Sequence, residues 1–182
     1  MTTQGPKLAR KAFGHGADAS LIVSYESYQV ALRFLGAALN RDNGIALLQG
    51  PRGSGKTTIV REQAAWWGRD VPVAVFDGNK SATRELVSGM LAQYGVDVIP
   101  QQDEQMLQAL GNYLSQQARS GQSPILIIDN ADRLGSSTLS LLNWLAALDT
   151  HGRWSLRIVL AGSERLAEIA AKHSMRNLER RH

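Results

Sequence analysis

No cysteine occurs anywhere in the 182-residue chain, which excludes disulfides and thiolate metal sites and fits a reducing compartment. No apolar run approaches the roughly 18 residues that a membrane-crossing helix needs, and the first residues lack the apolar stretch of a secretory leader. The expectation for this chain is a cytoplasmic location. Aromatic residues make up only 6%. None of them interleaves with the basic residues gathered near the two ends, Lys7, Arg10 and Lys11, then Lys172, Arg176, Arg180 and Arg181. The net charge of +4 therefore has two readings. One is a surface for nucleic acid or anionic lipid. The other, favoured because a single-strand platform wants aromatic rings among its cations, is a pair of solvated termini. What remains is ordinary for one globular domain with a sizeable core, 43% hydrophobic and 20% charged. We read residues 1–19 as a loose basic arm and 20–182 as a single folded core.

One stretch carries the most chemical information. Gly50-Pro51-Arg52-Gly53-Ser54-Gly55-Lys56-Thr57 fits G-x-x-x-x-G-K-[ST], and Thr58 follows it. The glycines let backbone N–H groups converge into a concave anion nest. Lys56 has the length and charge to reach β- and γ-phosphates, and the Thr57 hydroxyl is a hard oxygen suited to Mg²⁺. A helix beginning here turns its positive end toward the phosphates. The motif demands a strand before it and a helix after it. Ile45-Ala46-Leu47-Leu48-Gln49 reads as a buried strand. Residues 58–67 read as a helix, with Ile59, Val60, Gln63, Ala64 and Trp67 at helical spacing and Gly68 as its C-cap.

The rest of the chain alternates strands with helices. Residues 25–39 read as a helix with Tyr28, Leu32, Leu35 and Leu39 on one face. The pattern predicts a second strand over 71–76 and a helix capped by Ser81 and ended by Gly95. A further helix is predicted over 104–118. Ile125-Leu126-Ile127-Ile128-Asp129 is apolar enough to be buried on both faces. A helix capped by Ser136 or Ser137, a fourth strand over 156–160 and a last helix over 164–172 complete the series. Such alternation implies an α/β fold in three layers, a mostly parallel sheet between helices, as in P-loop NTPases.

Asp129 ends its strand where open α/β sheets bind ligands, so it is the candidate partner of Thr57 at Mg²⁺. The position after such an aspartate often holds a glutamate that polarises attacking water. Here it is Asn130, which can orient water and cannot take its proton. Asp132 stands two residues further on, either turned inward as a substitute or paired with Arg133 or solvent. Ser163, after the fourth strand, holds water near the γ-phosphate if that strand lies between the other two, or caps the next helix. Lys56, Asp129, Asn130 and Ser163 are thus the candidate catalytic groups. Gly50 to Thr58 form the candidate nucleotide site, and Thr57 and Asp129 the candidate metal ligands. Arg176, Arg180 and Arg181 are either surface charges or the source of an arginine finger acting on a neighbouring subunit.

With these residues in place the chain resembles the AAA+ ATPases of the ExeA type, associated with type II secretion and pilus biogenesis in bacteria. The stretch from Ile127 to Leu134 is similar to I-I-D-E-A-Q-x-L, and that from Leu145 to Thr150 to L-x-N-L-E-T. The segment from Arg157 to Leu166 is similar to I-V-L-x-G-Q-P-E-L, and that from Leu178 to Arg181 to L-x-x-R. Asn130 and Ser163 depart from the pattern's Glu and Gln. The resemblance implies ATP and Mg²⁺ as ligands and a helical lid and fifth strand that this chain stops short of, hence a fragment. It also implies attachment to the cytoplasmic face of the inner membrane through a segment outside this chain. The leading expectation is an ATP-binding module, slow in hydrolysis, that couples its ATP or ADP state to a partner in envelope biogenesis, secretion or cell division. The alternatives are a DNA-associated ATPase of the transposition target-selection type and a small-molecule kinase. No Arg-rich lid supports the kinase.

Overall fold

The computed structural model describes residues 26–40, 45–97, 100–150 and 153–172. Their order is α1 (Glu26–Asn40), β1 (Ile45–Gln49), α2 (Lys56–Trp67), β2 (Val73–Asp77), α3 (Thr83–Gln93), α4 (Asp103–Arg119), β3 (Ile125–Asp129), a 3₁₀ turn (Ala131–Arg133), α5 (Ser136–Ala146), β4 (Asp149–Thr150), β5 (Arg153–Trp154), β6 (Arg157–Gly162) and α6 (Leu166–Lys172). The main sheet has the order β1-β6-β3-β2, and every pairing in it is parallel. The expected three-layer α/β fold is present. The last long strand lies between the P-loop strand and the strand ending in Asp129, the arrangement on which a role for Ser163 depends.

Period-two alternation divides the core between the two faces. Leu126 and Ile128 of β3, with Ile158 and Leu160 of β6, pack into a cluster with Leu86 and Met90 of α3, Leu110 and Leu114 of α4, and Leu142 and Leu145 of α5. Ile125 and Ile127, with Val159 and Ala161, face the opposite way and meet Leu35 of α1 and Ile59 and Val60 of α2. All five residues of β3 are buried, so this strand has no solvent face and its sequence shows no polar alternation. Ile127 is fully enclosed. Ile127→Ala is expected to lower unfolding free energy by about 3 kcal/mol, since a central cavity collapses poorly. Val75→Ala, at a 36% exposed position of the edge strand, is expected to cost under about 1 kcal/mol. Urea midpoints compare the two.

The free edge of β2 is closed by a side chain. Gln93 Oε1 accepts from Val75 N at 2.9 Å and Gln93 Nε2 donates to Val75 O at 3.3 Å. The amide thus mimics one residue of an added strand and blunts an edge that otherwise invites pairing.

Several boundaries differ from the sequence reading for local reasons. β2 begins at Val73 because Pro72 has no N–H to give; its carbonyl still accepts from Ile125 N at 2.9 Å. Ser81 does not cap α3. Its hydroxyl turns back to Asp77 O at 2.8 Å, and Ala82 occupies the N-cap. Gly135, not Ser136 or Ser137, precedes α5, again with no side-chain cap. The last helix begins at Leu166, two residues later than expected. The antiparallel pair β4–β5 was not foreseen; it forms a separate two-stranded ribbon. The arm at 1–19 and the arginines at 176, 180 and 181 lie outside the described residues.

Candidate functional site

Parallel register aligns the carboxyl ends of the four strands. Gln49 stands opposite Gly162, and Asp77 opposite Asp129. The loops leaving β1, β6 and β3 therefore open on one cleft of about 580 Å³. Of the expected nucleotide-binding residues, Gly50, Arg52, Gly53, Gly55, Lys56, Thr57 and Thr58 line it. Pro51 O and Ser54 Oγ are acceptors for Lys56.

The loop's shape follows from its glycines. Gly53 and Gly55 sit at φ 81° and 86°, in the left-handed region that side chains disfavour. Gly55 is the N-cap of α2, so the helix opens directly onto the cleft with its first N–H groups unpaired by side chains. Lys56 Nζ donates to Gly50 O at 2.9 Å, Pro51 O at 2.7 Å and Ser54 Oγ at 3.2 Å. The ammonium is thereby held at the mouth of the nest it helps to shape.

Across the cleft, Thr57 Oγ1 donates to Asp129 Oδ2 at 2.6 Å, joining residues 72 positions apart. Asp129 is 9% exposed and is among the few buried polar residues. These two hard oxygens suit Mg²⁺, which takes one or two protein ligands and fills its remaining positions with phosphate and water. Among the described residues no group of three or more His, Cys, Asp or Glu forms an all-protein metal cage.

Asn130 lies in the left-handed region at φ 52°, ψ 37°, which asparagine tolerates better than most residues. Its backbone N–H bonds Asp129 Oδ1 at 2.9 Å. Its side-chain amide donates to Asp77 Oδ1 at 3.0 Å. The same oxygen accepts from Asn79 N at 3.0 Å and Asn79 Nδ2 at 2.9 Å. These donors, the Asn130 amide foremost, hold the Asp77 carboxyl below its ordinary pKa.

The turn at Ala131–Arg133 swings Asp132 inward toward β6. Asp132 Oδ1 accepts from Ser163 N and Oδ2 from Ser163 Oγ, each at 3.1 Å. Burial pushes this carboxyl's pKa up, but the two Ser163 donors and its own N–H outweigh burial and set it below the ordinary value. Both alternatives for Asp132 are met in part: it turns inward onto Ser163 and also keeps Arg133 within ion-pair distance. The Arg133 guanidinium stands 3.8 Å away. Ser163 Oγ caps no helix; its hydroxyl is given to Asp132, and its carbonyl accepts from Leu166 N at 3.0 Å.

The cleft is lined by Asp129, Asn130, Ser163, most of the P-loop and Asp132, and also by Asn79, Arg133 and Gly162. β2 runs to Asp77, one residue beyond the expected end, and the turn after it carries Asn79. The parallel pairing of β2 with β3 was the signal that brings its following loop to the same rim.

A family model described as an AAA domain matches residues 39–170, well over half of the chain. The chain belongs to this AAA domain family. The likeness to the ExeA type also holds. General secretion pathway protein A of Aeromonas hydrophila is 23% identical over 182 residues, covering all of this chain and 33% of that protein. The chain thus spans about a third of the length of this relative. Among solved structures, Cdc6p from Pyrobaculum aerophilum superposes with a TM-score of 0.66 at 16% identity, over 87% of this chain and 44% of that one. The Aeropyrum pernix ORC2 protein in its ADP form gives 0.59 at 18% identity, over 85% and 45%. At these identities the structures establish the fold, an AAA+ core of the P-loop class, and the family membership implies nucleotide binding. No helix among the described residues of this AAA domain is long and apolar enough to cross a membrane.

Proposed function

We propose that this AAA domain binds ATP with Mg²⁺, hydrolyses it slowly, and uses the bound state to control a partner in secretion or envelope biogenesis. The observation that carries the reading is the 2.6 Å contact between Thr57 and Asp129 across the mouth of a glycine nest. It gathers a helix N-terminus, a lysine and two magnesium-type oxygens at one point. Backbone N–H groups of residues 53–57 and Lys56 hold the phosphates, and Thr57 and Asp129 hold the metal. When bound, Mg²⁺ neutralises charge on the phosphate oxygens. The slow step follows from Asn130, whose amide is engaged with Asp77 and offers no base for water. The secretion assignment is supported by the name of the Aeromonas relative, and a domain in that role would work on the cytoplasmic side. The residues that supported a nucleic-acid role lie outside the described ones or have no described side chain, and that reading gains nothing here.

Thermal unfolding tests the proposal. ATP with Mg²⁺ at about a hundredfold above its Kd stabilises by roughly 2.7 kcal/mol, a rise of about 5–10 °C in Tm for a chain of this size. Asp129→Asn is expected to remove the magnesium-dependent part and leave a smaller shift. A Tm indifferent to millimolar ATP with Mg²⁺ rejects the proposal.

A further inference from the structure

The clamp between Asp132 and Ser163 has a consequence for how the cleft tells one nucleotide from another. A serine hydroxyl carries a single proton and gives it to one strong acceptor at a time. Here it goes to Asp132 Oδ2 at 3.1 Å, while Ser163 N–H takes Oδ1 at the same distance. The chain makes room for this carboxylate. A Cβ on Gly162 would stand 2.7 Å from Asp132 Oδ1, so a side chain there would push the carboxylate from its present place. The Asp132 side chain is 15% exposed, and its other charged neighbour is Arg133, 69% exposed and 3.8 Å off. All four residues line the cleft that holds Lys56 and Thr57.

We propose that Asp132 is the counter-acceptor of a latch that reads the third phosphate. With a nucleoside diphosphate, Ser163 Oγ donates to Asp132. With a triphosphate, it donates to the terminal phosphate, a more highly charged acceptor. Asp132 then keeps the Ser163 N–H, and its freed Oδ2, already 3.8 Å from Arg133 Nε, is left to that guanidinium alone. The presence of the third phosphate is thereby carried into the 3₁₀ turn that follows Asp129. Asp132 is a positioning residue, since it acts through Ser163. The inference rests on the ATP-binding reading above.

A double-mutant cycle on nucleotide preference tests it. The quantity is the ratio of ADP to ATP dissociation constants, measured with Mg²⁺ by displacement of a fluorescent ADP. Asp132→Ala removes the competing acceptor, so the ratio is expected to shift toward ATP by about three- to tenfold, the size of one net hydrogen bond. In a Ser163→Ala background the same change is expected to move the ratio less than about twofold. In a Ser163→Thr background, which keeps the hydroxyl, the larger shift is expected again. The cycle separates the latch from simple charge repulsion, because losing a carboxylate near phosphates favours ATP whether or not residue 163 has a hydroxyl. Equal shifts in the Ser163 and Ser163→Ala backgrounds overturn the latch, as does an unchanged ratio. Asp132→Asn keeps the volume, removes one acceptor oxygen, and is expected to shift the ratio in the same direction if Asp132→Ala fails to fold. Normal ADP and ATP binding with no such coupling rejects the latch alone. Binding of neither nucleotide by the unaltered chain rejects the ATP-binding reading with it.

Discussion

Lys56→Ala is expected to weaken ATP binding by about 100-fold while the fold survives. The three groups that receive its ammonium, Gly50 O, Pro51 O and Ser54 Oγ, all belong to the P-loop itself. They are neutral acceptors at a partly exposed site, so losing them costs about 1 kcal/mol of stability at most. No core contact depends on the side chain, and α2 keeps its buried anchors Ile59 and Val60. Nucleotide binding differs in kind. A triphosphate brings several negative charges into a cleft where Lys56 is a cation held in place by the P-loop. A charge-assisted bond there is worth about 1.5–3 kcal/mol, or roughly 10- to 150-fold in Kd. Lys56→Arg is expected to rescue poorly, because a planar guanidinium does not fit where three short bonds converge on one nitrogen. Calorimetric titration with ATP, alongside urea unfolding, separates the two effects. Binding within threefold of the unaltered chain removes Lys56 from the site.

The parts of this molecule legible from sequence are those whose cause is local. The P-loop was readable because its glycines, lysine and threonine are adjacent, and the geometry of residues 50–58 needs little beyond the strand before and the helix after. β3 was readable because a strand buried on both faces admits only apolar residues until Asp129 leaves the sheet. What stayed hidden depends on strand order and register. Asp77 meets Asn130 because β2 and β3 end level, and Asp132 meets Ser163 because β6 inserts next to β3. Neither pair is near in sequence, 53 and 31 positions apart. Caps were misjudged for a related reason. The Ser81 hydroxyl donates to Asp77 O instead of accepting from an N–H of the helix it precedes, and a serine takes whichever partner the tertiary structure offers.

The same hidden pair governs the prediction about turnover. Asn130→Glu supplies the missing carboxylate, yet alone it is expected to raise kcat less than about threefold. The new side chain would replace the donor that Asp77 Oδ1 now receives at 3.0 Å with a second negative charge. Asp77 is held ionised by Asn130 and Asn79, so the two carboxylates repel, and the introduced one either swings off line or gains a proton. The left-handed backbone at φ 52° adds a cost of about 1 kcal/mol for a longer side chain. Adding Asp77→Asn reverses the polarity of the pair, amide on β2 and carboxylate on the loop after β3, and restores the hydrogen bond that orients residue 130. The double variant is expected to hydrolyse ATP about 100-fold faster than the unaltered chain, the lower end of what a placed general base contributes, with ATP affinity changed little. Steady-state phosphate release decides it. A single variant as fast as the double shows that Asp77 does not constrain residue 130, and an unaltered chain as fast as either shows that another group already activates the water.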